Sequence, residues 1–391
     1  MKSLLSRFLP LAVALGAVAC RAHPIVEPER VLGPAVKEPA ARVVVDSTRG
    51  EVVLYAGPFR VPAMAADGHD HMAMGHEMMD AMPHAPAGSA SANMDDHAVH
   101  AYSPLVRFEW PVAGWYRGFR YSLVDASGLE LPKSLMHHMI GVDFERRQLV
   151  NGEALRFLGT GTETGDIVLP RLLGVPMRGG QKLGVYTAWH NELGRDFDGV
   201  YLRIAMPYVP STALIKPVSA FPVYMDVNDV PGASNAFDVP PGHSEQSHEF
   251  TVPIGGKFIA VGGHLHDFGR DVRLEDVATG KVLVQLDAKR DSADHLLAIP
   301  NRYFLIRGIR VAGGHPYRVV GEYHSRESTT RVKGGMAHVV GLFVPENADA
   351  WPPADSTDPE MVADLASLPG GAKALAPVVG PVAEVVASPR K

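Results

Sequence analysis

The chain of 391 residues contains one cysteine, Cys20. An internal disulfide is therefore excluded, and packing alone must hold the fold together. Beyond the first 20 residues no stretch is long and apolar enough to cross a bilayer as a helix. There is no excess of basic residues either: the net charge is −6 with 20% charged residues, so nothing in the composition points to nucleic acid. Long windows of strong helix formers are scarce. What recurs is short runs of Val, Ile, Tyr and Phe between Gly and Pro, which number 39 and 32. That pattern predicts a mainly β protein.

The N-terminus, "MKSLLSRFLPLAVALGAVAC", has Lys2 and Arg7 ahead of an apolar core from Phe8 to Val18, then small residues before Cys20. It reads as an export signal. Its last four residues resemble a bacterial lipobox, although the leucine that usually opens one is missing. Lipidation of Cys20 would anchor the mature protein to a membrane on the periplasmic or cell-surface side, and cleavage by an ordinary signal peptidase nearby is the alternative. The predicted organisation is a signal at 1–19, a linker at 20–40, a β-sandwich at 41–208 interrupted by an insert at 64–100, a second β-sandwich at 209–350, and an Ala/Pro-rich tail at 351–391. The expected fold is two antiparallel jelly-roll-like β-sandwiches packed side by side, with the insert and the tail disordered. Two hairpins are legible in detail. "ARVVVDSTRGEVVLYAG" is two strands about a turn, and "DVRLEDVATGKVLVQL" is two strands about Ala278–Lys281.

Three places set imidazoles in strand-like surroundings: the adjacent pair His137 and His138 in "SLMHHMIGVDFERR", His190 at the end of "GVYTAWHNE", and His264 with His266 in "GGHLHD". Side chains two apart on a strand share a face, so His264 and His266 have the geometry to chelate one ion. Adjacent side chains diverge on a regular strand. The His137–His138 pair is thus either one core and one surface residue, or a pair brought together on one metal. Met336, in "GGMAHVVGLFV", adds a thioether where another buried strand starts. Two imidazoles with a thioether make a copper set rather than a zinc set, whereas three imidazoles suit copper or zinc.

Taken in order, these motifs resemble the copper type II, ascorbate-dependent monooxygenases, the family of peptidylglycine α-hydroxylating monooxygenase and dopamine β-monooxygenase. The resemblance covers roughly residues 102 to 346: "MHHMIGVDF", "GTETGDIVLP", "GVYTAWHNE", "GGHLHDFG" and "GGMAHVVGLFV". It implies two coppers per chain. His137, His138 and His190 would hold the electron-transferring ion in the first sandwich. His264, His266 and Met336 would hold the O₂-activating, catalytic ion in the second. The implied reaction is hydroxylation of a C–H bond of a small substrate with O₂ and ascorbate or a similar one-electron donor. The chain departs from the family at three places. Gly262 stands where the peptide-hydroxylating member has a substrate-binding arginine, which argues against a C-terminal glycine peptide as substrate. Ala188 and Asn191 replace a glutamine and a tyrosine near the lone histidine.

The insert at 64–100 carries six histidines and seven methionines. His69, His71, Met72, Met74, His76, Met78, Met79, Met82 and His84 form its densest part and resemble the Met/His tracts of periplasmic copper-handling proteins. They are candidates for an accessory copper-collecting arm, and copper-delivery proteins are possible partners. The competing function for the whole chain is an envelope copper-binding protein without catalysis. Among the other histidines, His324 and His338 lie near Met336 in the sequence; His338 shares its strand face if the strand is regular, which makes it a candidate alternate ligand or a support for one. His243, His248, His295 and His315 read as loop residues. Asp267 reads as a surface aspartate or a support for an imidazole, and Tyr323 as core. Met136 and Met139 read as packing beside the first site.

Overall fold

A computed structural model describes residues 38–64, 101–161, 165–232, 234–292, 294–304 and 307–370. The longer strands of the N-terminal half are β1 (Ala40–Asp46), β2 (Glu51–Val61), β3 (Val106–Trp110), β4 (Gly118–Val124), β5 (Met136–Arg147), β6 (Ala154–Gly161), β7 (Gln181–Trp189) and β8 (Phe197–Pro210). They form two sheets. The larger has nine strands, with β1, β2 and β8 side by side and β4 on the other edge of β8. The smaller has five, with β7 between β3 and β5, and β6 beyond β5. Leu54, Leu123 and Leu202 from the first sheet and Leu155, Leu183 and Val185 from the second share one core. Alternation explains this: successive residues on each strand point to opposite faces, so every second apolar residue faces inward.

The C-terminal half repeats the plan with β9 (Phe221–Asp226), β10 (Gly242–Val252), β11 (Gly256–Leu265), β12 (Gly269–Asp276), β13 (Lys281–Asp287), β14 (His315–Ser325) and β15 (Ala337–Pro345). One sheet has β15 between β9 and β11; the other runs β10-β14-β12-β13. Phe258, Val261, Val339 and Phe343 of the first pack with Val272, Leu274 and Val319 of the second. The described strands pair antiparallel, except where Leu173–Gly174 meets Val218–Ser219 in parallel at the joint between the halves; an isolated bridge between Pro241 and Ser325 is also parallel. The two expected hairpins are present, β1 with β2 and β12 with β13. The protein is therefore mainly β, as its composition predicts.

The apolar cluster runs unbroken from one half into the other. Phe221 stacks on Trp351, ring centroids 4.0 Å apart, and the Trp351 indole N–H donates to the carbonyl of Arg147 at 3.0 Å. Asn151 donates to Asp229 across the same joint at 2.8 Å. The segment read as tail carries structure as far as residue 370. Helix α1 (Pro359–Ser367) is capped by the Asp358 carboxylate and lays Met361 and Leu365 on Ile140, Val142 and Tyr186 of the smaller N-terminal sheet. Residues four apart on a helix share a face. The Ala/Pro-rich composition hides this stripe because it occupies so few positions. The buried Asp364 pairs with Arg156 of β6 and fastens the helix down. Residues 371–391 lie outside the described structure.

Candidate metal centres

The first cluster forms where β5 begins and β7 ends. The ladder pairs Ala188 with His138 and then Trp189 with Met136, so His137 is an extra residue opposite no partner. This is a β-bulge, which re-aims side chains that would otherwise diverge. The His137 and His138 rings come to 3.9 Å between centroids at 62°. The His190 backbone N–H donates to Leu135 at 2.9 Å, which sets the lone histidine beside the bulge, with its ring 5.8 Å from that of His137. All three predicted residues are thus brought together. Their donor atoms do not all fall within 4.8 Å of one another, as those of His243, Glu245 and Glu322 do. The His190 ring turns instead toward Glu192, with Nε2 3.0 Å from Oε1. With Nε2 at the carboxylate, Nδ1 is the nitrogen through which this ring would join a metal held with His137 and His138.

Below the cluster, Met136 and Met139 are fully buried and belong to the apolar core. Asn191 has a positioning task. Its side chain donates to Val61 at 3.1 Å and Arg195 at 2.8 Å and accepts from Leu193, which fixes the loop that follows His190. The Met64 backbone N–H donates to the Asn191 carbonyl, and Ala101 pairs with Trp189. The His/Met-rich insert therefore leaves and rejoins the fold on either side of His190. His69, His71, Met72, Met74, His76, Met78, Met79, Met82 and His84 themselves lie outside the described residues, as do Cys20 and Thr162–Thr164.

The second cluster lies on one face of the β9-β15-β11 sheet. The register sets His264 opposite His338 and Leu265 opposite Ala337. Leu265 and Ala337 point into the core, so the two histidines point the other way. The His264 ring lies 5.2 Å from His266 and stacks on His338 at 4.9 Å and 19°. His266 Nδ1 is 3.3 Å from the Gly334 carbonyl, which can only accept. The ring proton therefore sits on Nδ1, and Nε2 carries the lone pair a metal would use.

Met336 is buried just ahead of β15, and Tyr323 holds it there. The Tyr323 hydroxyl accepts from the backbone N–H of His266 at 3.1 Å and of Met336 at 3.2 Å, and donates to the Met336 carbonyl. One oxygen thus ties two of the three predicted ligands together. The Tyr323 ring lies in the core, as the sequence predicts, and its oxygen adds this second role.

His338 has its own support. The Tyr224 hydroxyl donates to the buried Asp226 at 2.6 Å and lies 3.1 Å from His338 Nδ1. With its single proton spent on Asp226, that hydroxyl accepts from Nδ1–H. Burial pushes the Asp226 carboxyl up to about 7, against the pull of its hydrogen bond from Tyr224. At Gly262 a Cβ would lie 2.5 Å from Asn301 Oδ1, so any side chain there must displace Asn301. Asp267 accepts from the Leu296 backbone and supports no imidazole in the described contacts.

His243, His248 and His315 are strand residues on β10 and β14, not loop residues. His243 and His248 lie in a run, GHSEQSHE, that is polar at both alternating positions, so the apolar period that marks a strand is absent there; His315 is the first residue of β14. The donor sets fit copper in kind: imidazole suits either oxidation state, and a thioether favours Cu(I).

No helix among the described residues is long and apolar enough to cross a membrane. No family model matches the chain, and no curated protein matches it. Among solved structures it is similar to recombinant N-glycanase F (PNGase F), at 11% identity and a TM-score of 0.33, over 65% of this chain and 93% of that one. It is also similar to an infectious bursal disease virus structure, at 10% identity and a TM-score of 0.18, over 68% and 77%. Similarity at this level assigns neither a family nor an activity.

Proposed function

We propose that the protein is an exported, lipid-anchored dicopper monooxygenase that hydroxylates a C–H bond of a small molecule, using O₂ and a one-electron reductant such as ascorbate. The observation that carries this reading is the pair of imidazole clusters, one in each half. His137, His138 and His190 converge at a bulge, and His264 and His266 stand beside a Met336 tied to the same tyrosine oxygen. Copper in these sites would supply one-electron transfer at the first and O₂ activation at the second. The chain's own residues hold and orient. Gly334 fixes the His266 tautomer, Tyr323 fastens Met336, and Asn191 fixes the loop after His190. With Gly262 in place of an arginine and Asn301 over it, the surface beside His264 offers no guanidinium at that position for a substrate carboxylate.

A second reading, copper holding without turnover, is favoured by His338, which adds an imidazole beside His264, and by an insert rooted at both ends next to His190. The two readings part on one experiment. Protein loaded with two coppers is given ascorbate, isotopically labelled O₂ and a broad panel of small organic molecules. The enzyme reading expects labelled product that disappears in His264→Ala and Met336→Ala. Consumption of ascorbate and O₂ with no labelled product across the panel rejects it in favour of copper holding.

A further inference from the structure

The outer face of the β10-β14-β12-β13 sheet carries two short motifs that are complements of each other. They are His243-Ser244-Glu245 on β10 and Glu322-Tyr323-His324 on β14. The strands run antiparallel in a register that pairs His243 with His324 and Glu245 with Glu322. Directly opposed side chains share a face, with Cβ atoms about 4.5–5.5 Å apart, and residues two apart share it too. Two imidazoles and two carboxylates therefore form one patch on the outside, while the intervening Tyr323 points into the core.

The distances within the patch suit a metal better than a hydrogen bond. The donor atoms of His243, Glu245 and Glu322 all lie within 4.8 Å of one another. His243 Nε2 is 3.5 Å from Glu322 Oε1, long for a hydrogen bond. Two ligands at ~2.0–2.1 Å from a tetrahedral zinc ion are separated by ~3.3–3.4 Å, close to what is found.

The charge balance points the same way. Glu245 and Glu322 stand directly opposite each other, an arrangement that destabilises a strand pair unless a cation intervenes. Arg273 supplies part of that cation. It donates to Glu245 Oε1 at 2.6 Å and lies 3.7 Å from Glu322 Oε2, which turns Glu322 Oε1 toward His243. The same guanidinium also serves Asp271 and Glu275, the latter shared with Arg318, so two positive charges face four carboxylates. A further cation on the histidine side would complete the neutralisation, with Arg273 orienting the ligating carboxylates from behind.

We propose that His243, Glu245, Glu322 and His324 form a third metal site, for a divalent ion of the zinc type, on the opposite face of β14 from the cluster at His264. The set has no sulfur, so it does not favour Cu(I). A metal here would clamp β10 to β14 and stiffen the strand whose Tyr323 reaches through to Met336.

The test is calorimetric titration with Zn²⁺ of the full mature chain, wild type against His243→Ala/His324→Ala and against Glu245→Gln. Working by difference removes zinc bound elsewhere. His243, Glu245 and His324 are exposed, so the variants keep the fold, which circular dichroism verifies. The double variant is expected to bind one zinc fewer, and Glu245→Gln to weaken that zinc at least tenfold. In wild type alone, zinc is expected to slow amide exchange in Gly242–Val252 and His315–Ser325. Equal zinc stoichiometry and affinity in wild type and double variant, or exchange in these strands that zinc leaves unchanged, overturns the proposal.

Discussion

Tyr323→Phe deletes one oxygen and leaves the ring that fills the core. Two backbone donors, on His266 and Met336, lose their acceptor, and the Met336 carbonyl loses its donor. The Tyr323 side chain and Met336 are buried, so water does not replace the lost bonds. Each buried polar group left unsatisfied costs ~1–3 kcal/mol. Three groups at the lower end of that range give ~3 kcal/mol, and the half-buried position of His266, whose N–H has some solvent within reach, favours the lower end. Tyr317→Phe is the comparator. That buried hydroxyl accepts a single backbone bond, from Ala312 at 2.7 Å, so its loss should cost ~1 kcal/mol. Urea unfolding followed by circular dichroism separates the two. With a slope of ~2–3 kcal/mol per molar urea, Tyr323→Phe lowers the midpoint by ~1 M or more, and Tyr317→Phe by less than half that. Tyr323→Phe should also weaken Cu(I) binding at the second site, and Tyr317→Phe should not. Equal midpoints for the two variants, with Cu(I) affinity unchanged in both, would refute the claim that this oxygen assembles the site.

Glu153 is buried near the joint, and its carboxyl is raised to about 8 by burial first and then by Asp364, with Arg156 opposing. A carboxyl whose folded value lies above its ordinary 4.5 favours the folded state at low pH, so stability falls as pH rises from 4.5 to about 8. The slope is at most ~1.4 kcal/mol per pH unit for one group. Glu153→Gln should flatten the profile of urea midpoint against pH in that window, and an unchanged slope would contradict the assignment. Leu365→Ala should cost ~2–5 kcal/mol of helix docking, seen as faster amide exchange across Pro359–Ser367 with the strands unaffected. Exchange there that matches wild type would show that the helix is not held by this contact. His190→Ala should remove one of two tightly bound coppers, measured by metal analysis after dialysis; two coppers retained would exclude His190 as a ligand.

The parts of this molecule that were legible in the sequence are those that depend on short-range period. His264 and His266 share a face because they are two apart, and the hairpin of β12 and β13 follows from alternation about a turn. The His137–His138 pair could be read only as a condition: the two converge if the strand bulges. The bulge comes from the partner strand, where Ala188 and Trp189 skip a residue, and no local pattern encodes that. Tyr323 reads as one more buried aromatic, because its hydroxyl partners lie just after β11 and just before β15. The relay from Asp226 through Tyr224 to His338 joins β9 to β15 and is equally invisible along the chain. Helix α1 is not legible in the sequence for another reason. Its burial depends on Arg156, some 200 residues earlier, receiving Asp364, and its apolar stripe is short within an Ala/Pro-rich stretch.

The central claim is that each half holds one copper and that only the second uses sulfur. X-ray absorption of the Cu(I) form tests it most directly, on protein lacking residues 64–100 so that the methionines of the insert do not contribute. The account predicts two coppers per chain with a sulfur scatterer on about half of the copper, lost in Met336→Ala while nitrogen scattering stays. A single copper per chain, or two coppers with no sulfur, would contradict it.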